Sequence, residues 1–169
     1  MLQLIDFNDR WKDFFAKEKQ ILLAALKGQK IHKIEHIGAT SVVLCKTCGT
    51  IDLMCTIPSM IEFITIKNIL CTRDYQYLPS MSTDDCYTFA RRNENKQIVC
   101  TVRVVEQASK IHQEIILFKA YLREKEKHAI AYNEFRKTLL EQVGGDAKKY
   151  QETKKNYIRS ILHDFCEVR

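Results

Sequence analysis

Hydrophobic and polar positions recur along this chain with two different periods, and the changes of period divide it into three parts. Trp11, Phe14, Phe15, Ile21, Leu22 and Leu26 recur at helical spacing as far as Gly28, with Asn8 placed to cap the start. The spacing predicts a long amphipathic helix with Trp11 and Phe15 in the core, preceded over residues 2–6 by a short strand or extended lead-in. From about His32 to Thr56 the pattern becomes strand, loop, strand. There Ile34 and Ile37 are β-branched, and alternation places Asp52 and Met54 on one face of the second strand with Ile51 and Leu53 on the other. Ser59 and Glu62 have the spacing of a capping box and open a helix running to about Leu70. Residues 72–85 are polar and read as a turn with one short strand. Cys86–Arg92 and Gln97–Glu106 then form an antiparallel pair across Asn93-Glu94-Asn95-Lys96, the second nearly all β-branched. From about Ser109 the chain reads as helical to its end. One stripe is Ile111, Ile115, Phe118 and Leu122. A second is Tyr132, Phe135 and Leu139, stopped by Gly144-Gly145, and a third, capped by Asp146, carries Tyr150, Tyr157, Ile161 and Phe165.

This order predicts an α/β (α+β) fold over residues 1–169 as one domain: a mixed sheet of about four to six strands flanked by helices, with a helical C-terminal third. Its chemistry concentrates in Glu35-His36-Ile37-Gly38-Ala39-Thr40-Ser41 and in Asp52. Gly38 sits where the backbone must turn sharply, and Thr40 or Ser41 can cap the next turn so that free N–H groups face outward. Such a loop is a seat for an anion, and Asp52 on the adjacent strand could hold a divalent cation bridging phosphates.

Composition narrows this picture only slightly. The net charge of +6 favours anionic ligands, yet much of the excess lies in helical segments, and nucleic-acid binding has no support beyond that charge. The longest apolar run, Ile21 to Leu26, is too short to cross a bilayer, and no basic-then-apolar leader is visible; the expectation is a cytoplasmic protein without membrane partners. Seven cysteines without a secretory signal argue against a disulfide framework. Cys45-x-x-Cys48 lacks the second ligand pair that a structural zinc site requires. Walker A, Gly-x-Ser-x-Gly and His-Glu-x-x-His motifs are all missing.

A glycine turn followed about a dozen residues later by an acid on a strand resembles the nucleotidyltransferase fold, and the local wording resembles its GrpB branch. Phe7, Trp11, Phe15, Glu18 and Glu35 to Val42 follow that family's N-terminal pattern, with Ala39 where the family has serine. The resemblance implies Mg²⁺-dependent transfer of a nucleotidyl group from a nucleoside triphosphate to an unknown acceptor. Gly38, Ala39, Thr40 and Ser41 would cradle phosphate, Asp52 would hold the metal, and Glu106 is a distant candidate for a further carboxylate. His36, inherited from the same pattern, would act in catalysis or, the favoured role, orient the loop. Matches in the C-terminal helices nominate Lys119, Arg123, Arg136 and Lys154 as cations closing over the anion; the bland alternative is ordinary surface charge.

Three departures favour an alternative, a catalytically degenerate module binding a nucleotide or another phosphate-bearing small molecule. Met54 stands where related enzymes often carry a second carboxylate. Thr101 and Arg103 replace two strand histidines of the family. Arg103 then reads equally as a bidentate phosphate contact or an exposed strand arginine.

Overall fold

The computed structural model describes residues 3–167, without the side chain of Ala147; Leu2, at the start of the expected lead-in, lies outside the described residues. Helix α1 spans Arg10–Ala25, strand β1 Lys33–Ile37 and β2 Ile51–Ile57. Helix α2 (Phe63–Cys71), β3 (Gln76–Tyr77), β4 (Cys86–Arg92) and β5 (Ile98–Glu106) follow, and α3 (Lys110–Glu124), α4 (Glu126–Val143) and α5 (Ala147–Glu167) make up the helical third. The strands form one mixed sheet in the order β1-β2-β5-β4-β3, in which only β2 and β5 run parallel.

Strand β5 holds the middle of the sheet, which explains its β-branched composition: both of its faces are covered. On one face, Leu53, Cys55, Ile57, Phe89, Val102 and Val104 pack against Leu22 and Leu26 at the end of α1 and Ile66 and Leu70 of α2. On the other, Ile37, Met54, Cys86 and Val105 pack against Ile111 and Ile115 of α3. A separate cluster of Leu122, Ala129 and Tyr132 with Val42 and Cys45 binds the C-terminal helices to the loop after β1. That contact brings α4 and α5 to the Asp52 end of β2.

Several local expectations are adjusted. Ahead of α1, Ile5 forms an isolated bridge to Thr47, and Asn8 Oδ1 accepts from Arg10 N at 2.9 Å, so the cap acts just ahead of the first helical residue. Phe14 and Ile21 are each 46% exposed, outside the core expected of them. The buried stripe of α1 runs through Trp11, Phe15, Glu18 and Leu22 instead, with a carboxylate at its centre. Only half of the capping box forms: Ser59 accepts from Ile61 N, while Met60 N donates to Glu106 Oε2 at 2.9 Å. At the far end, Gly144 takes the left-handed conformation that stops α4, and Asp146 Oδ1 accepts from Lys149 N.

Candidate functional site

Strand β1 ends at Gly38 with φ 69° and ψ −171°, a combination open essentially to glycine alone. A Cβ on this residue would lie 2.4 Å from Asp52 Oδ2, so the loop crosses directly over the acid. Ala39–Ser41 closes one 3-10 turn in which Ser41 N and Val42 N donate to Gly38 O and Ala39 O. That leaves the Ala39 and Thr40 amides as the ones the loop can offer an anion. Its two hydroxyls, either of them expected to cap the turn, are instead used elsewhere in the loop. Ser41 Oγ donates to Gly38 O at 2.7 Å, and Thr40 Oγ1 lies 2.9 Å from His36 Nε2. The Ala39 methyl packs against the cluster around Leu122.

Asp52 is half-buried, and its Oδ1 accepts a hydrogen bond from the Thr101 hydroxyl. The register pairs Asp52 with Ile37 and Thr101, and Met54 with Glu35 and Arg103, so these side chains share one face. Met54 is fully buried beside Ile37 and Val105 and supplies no oxygen. Glu106 must be corrected as a metal ligand. It pairs with Ile57, which places it on the opposite face, and its carboxylate is engaged by Met60 N. Among the described residues no group of three His, Cys, Asp or Glu side chains could hold a metal ion. Mg²⁺ asks for near-octahedral oxygen ligation. Asp52 with an arginine on the neighbouring strand does not fit that requirement, since Glu35, the other carboxylate of this face, is paired with Lys33.

Of the two roles expected of His36, catalysis and orienting the loop, the geometry supports the second, since strand alternation turns its ring away from the face of Asp52. Its ring stacks on Phe15, centroids 4.7 Å apart and 8° from parallel, and its Nε2 meets Thr40. Burial, then the charges of Lys119 and Arg123, push its pKa down to about 4. The neutral ring therefore positions the loop. Because the folded pKa lies below the ordinary 6.5, protonation favours unfolding, and this contribution, complete above pH 6.5, is lost as the pH falls toward 4. Urea unfolding should show about 2 kcal/mol of stability lost to His36 between pH 7 and pH 5. The loss should be absent in His36→Gln; an equal pH slope in both proteins would refute it.

The four cations nominated from the C-terminal helices divide. Lys119 Nζ donates to His36 O and Arg123 Nη2 to Ser41 O, each at 2.6 Å, so both hold the loop's backbone. Burial, then Arg123, lowers the pKa of Lys119. Arg136 is 3% exposed; its Nη2 donates to Lys46 O and, at 2.9 Å, to Asn133 Oδ1, while its Nε has no hydrogen-bond partner. Asn133 in turn bonds Lys46 N and Leu44 O, completing a brace on residues 44–46. Lys154, half-buried on α5, is the one that lies within the electrostatic reach of Asp52 and Arg103. Burial, then Arg103, lowers its pKa to about 8, with Arg136 adding to the effect and Asp52 opposing it.

Three participants carry roles the sequence did not assign. Thr101, read there only as replacing a family histidine, is the hydrogen-bond partner of Asp52. Asn133 is the brace, and Cys48, read there only as half of a Cys-x-x-Cys pair, lies near the same cations. Burial raises the pKa of the Cys48 thiol against the pull of Arg136 and Lys154, which places it within the same field. Only Asn133 had a signal, lying one turn before Arg136. Two open clefts, of about 370 Å³ beside Lys46 and Asn133 and about 300 Å³ beside Ser41 and Arg123, are not lined by Asp52.

A mixed sheet with this loop and acid, covered by helices on both faces, has a nucleotidyltransferase-like fold. It is similar to that of the Cid1 RNA terminal uridylyl transferase (TM-score 0.55, 9% identity), across 82% of this chain and 42% of that one. The chain belongs to the GrpB family, whose model, described as GrpB protein, matches residues 1–164. It is similar to the Glutamate-rich protein GrpB of Alkalihalophilus pseudofirmus, 26% identical over 164 residues that make up 95% of this chain and 94% of that one. It is also similar in structure to the conserved protein GrpB from Enterococcus faecalis, with a TM-score of 0.82 at 21% identity over 96% of both chains. Among the described residues, no helix is long and apolar enough to cross a membrane.

Proposed function

We propose that this protein is a module that binds a nucleotide or another phosphate-bearing small molecule at the Asp52 end of the sheet. The observation that carries this reading is the field of Arg103, Lys154 and Arg136 around one carboxylate. None of these three cations forms an ion pair with a carboxylate among the described residues. Like charges gathered in a half-buried site raise one another's free energy, and an anion relieves it. The Ala39 and Thr40 amides, held at the sheet edge by Gly38, add donors to the same place. Nucleotide as the form of the phosphate rests on the fold likeness to a terminal uridylyl transferase.

Mg²⁺-dependent nucleotidyl transfer is the less favoured reading. It requires oxygen ligands beyond Asp52, and the neighbouring positions hold Met54, Thr101 and Arg103.

Thermal unfolding against nucleoside mono-, di- and triphosphates and inorganic phosphate tests the binding reading. A ligand at 100 times its Kd stabilises by about 2.7 kcal/mol, which in a chain of this size raises Tm by roughly 5–10 °C. At least one such compound should produce the shift, and Lys154→Met should abolish it. No shift with any of them, or a shift unchanged in Lys154→Met, would overturn the reading.

A further inference from the structure

We infer that this site binds its phosphate without a divalent cation, and that the group it accepts is a metal-free phosphate monoester. The inference rests on the phosphate-binding reading and adds the form in which the ligand arrives. Arg103 lies two residues beyond Thr101 on the same face of β5, so the strand neighbouring Asp52 puts a cation on that face and no second oxygen ligand. Asp52 itself has little to give a metal: Oδ1 accepts the Thr101 hydroxyl, and Oδ2 lies under Gly38. A permanently charged guanidinium is therefore carried on the face of Asp52, and it can offer two parallel N–H donors to a phosphate edge.

Charge balance points the same way. Arg103, Arg136 and Lys154 exceed Asp52 by two positive charges, Glu35 on the same face being paired with Lys33, while a phosphate monoester carries about 1.5 to 2 negative charges at neutral pH. A monoester dianion thus neutralises the site by itself. Mg²⁺ arriving with a polyphosphate would add two positive charges to a place already in excess.

With no metal between them, Asp52 and the bound phosphate repel each other. The sign of the Asp52→Asn effect follows from this. A metal ligand loses binding when changed to asparagine, whereas a bare carboxylate beside a dianion gains it. Asparagine keeps the oxygen that Thr101 donates to, so the hydrogen bond within the sheet is retained.

The test is titration calorimetry of the full chain with adenosine monophosphate, uridine monophosphate and inorganic phosphate, first in EDTA and then in excess Mg²⁺. Binding is expected in EDTA and is unchanged or weaker with Mg²⁺. Asp52→Asn should bind about threefold tighter or better, and Arg103→Met about tenfold weaker or worse. Binding that requires Mg²⁺, or that Asp52→Asn weakens or leaves unchanged in EDTA, would overturn the inference and leave the phosphate-binding reading standing. Failure of all three probes and of Mg²⁺-loaded triphosphate would overturn both. Should Asp52→Asn fail to fold, the comparison of EDTA with Mg²⁺ on the wild type and on Arg103→Met decides the matter.

Discussion

Replacing Glu18 by alanine is expected to remove about 2–3 kcal/mol of stability. Glu18 sits at the centre of the buried stripe of α1 and is 2% exposed. Burial alone would raise its pKa, but hydrogen bonds from Arg91 and Tyr75 outweigh this and hold it below the ordinary carboxylate value. Arg91 Nε donates to Oε1 at 2.9 Å and its Nη2 to Oε2, while the Tyr75 hydroxyl also donates to Oε1. The alanine variant leaves the buried Tyr75 phenol without its acceptor, while Arg91, whose side chain is 33% exposed, turns to water. The cost is that of an orphaned buried donor together with the lost ion pair. In thermal unfolding this amounts to a Tm lower by roughly 5–10 °C. The double variant Glu18→Leu with Arg91→Leu should recover much of the loss, because an apolar pair of similar volume removes both desolvation penalties. Additive losses in the double variant would show that the two residues act independently and would refute the account.

Gly38→Ala should be nearly as damaging and should also remove ligand binding. Two effects combine at this residue. Its backbone angles cost an L-residue about 1–3 kcal/mol. The new methyl would also lie 2.4 Å from Asp52 Oδ2 and 3.2 Å from its Cβ and Cγ, so either the loop or the acid must move. Moving the acid breaks its bond to Thr101; moving the loop disturbs the carbonyls that Lys119 and Arg123 hold. Gly144→Ala is the control: its φ of 56° is also left-handed, but a Cβ there meets nothing within 4 Å. The control should lose about 1–2 kcal/mol and keep full phosphate binding. A Gly38→Ala protein with the Tm and the phosphate affinity of the wild type would mean that the loop is free to shift, and that its crossing over Asp52 is not what shapes the site.

Much of this molecule is written in local sequence. The alternation in Ile51-Asp52-Leu53-Met54 gives the face of the acid, and Gly38 marks the turn. The β-branched run from Ile98 to Val105 marks the central strand, and Ser109, Gly144 and Asp146 mark the helix ends. Each of these is a property of one element, set by its own period and backbone preferences, and so can be read without knowing its neighbours. Even the misassignment of Glu106 had a local warning: it alternates with Arg103 and Val105, and so cannot share their face.

Other features exist only between elements. The targets of Lys119, Arg123, Arg136 and Lys154 depend on how three helices lie across the sheet. Long flexible cations of the same type end on backbone carbonyls in three cases and beside a carboxylate in one. Glu18 looked like one polar position in an amphipathic helix until Arg91 and Tyr75, more than fifty residues away, were brought against it. The strands, the loop and the acid follow from local sequence, because period and glycine conformation act within a few residues. Which charges face Asp52 is set by packing between segments far apart in the chain, and side-chain partners chosen that way leave no periodic trace in it.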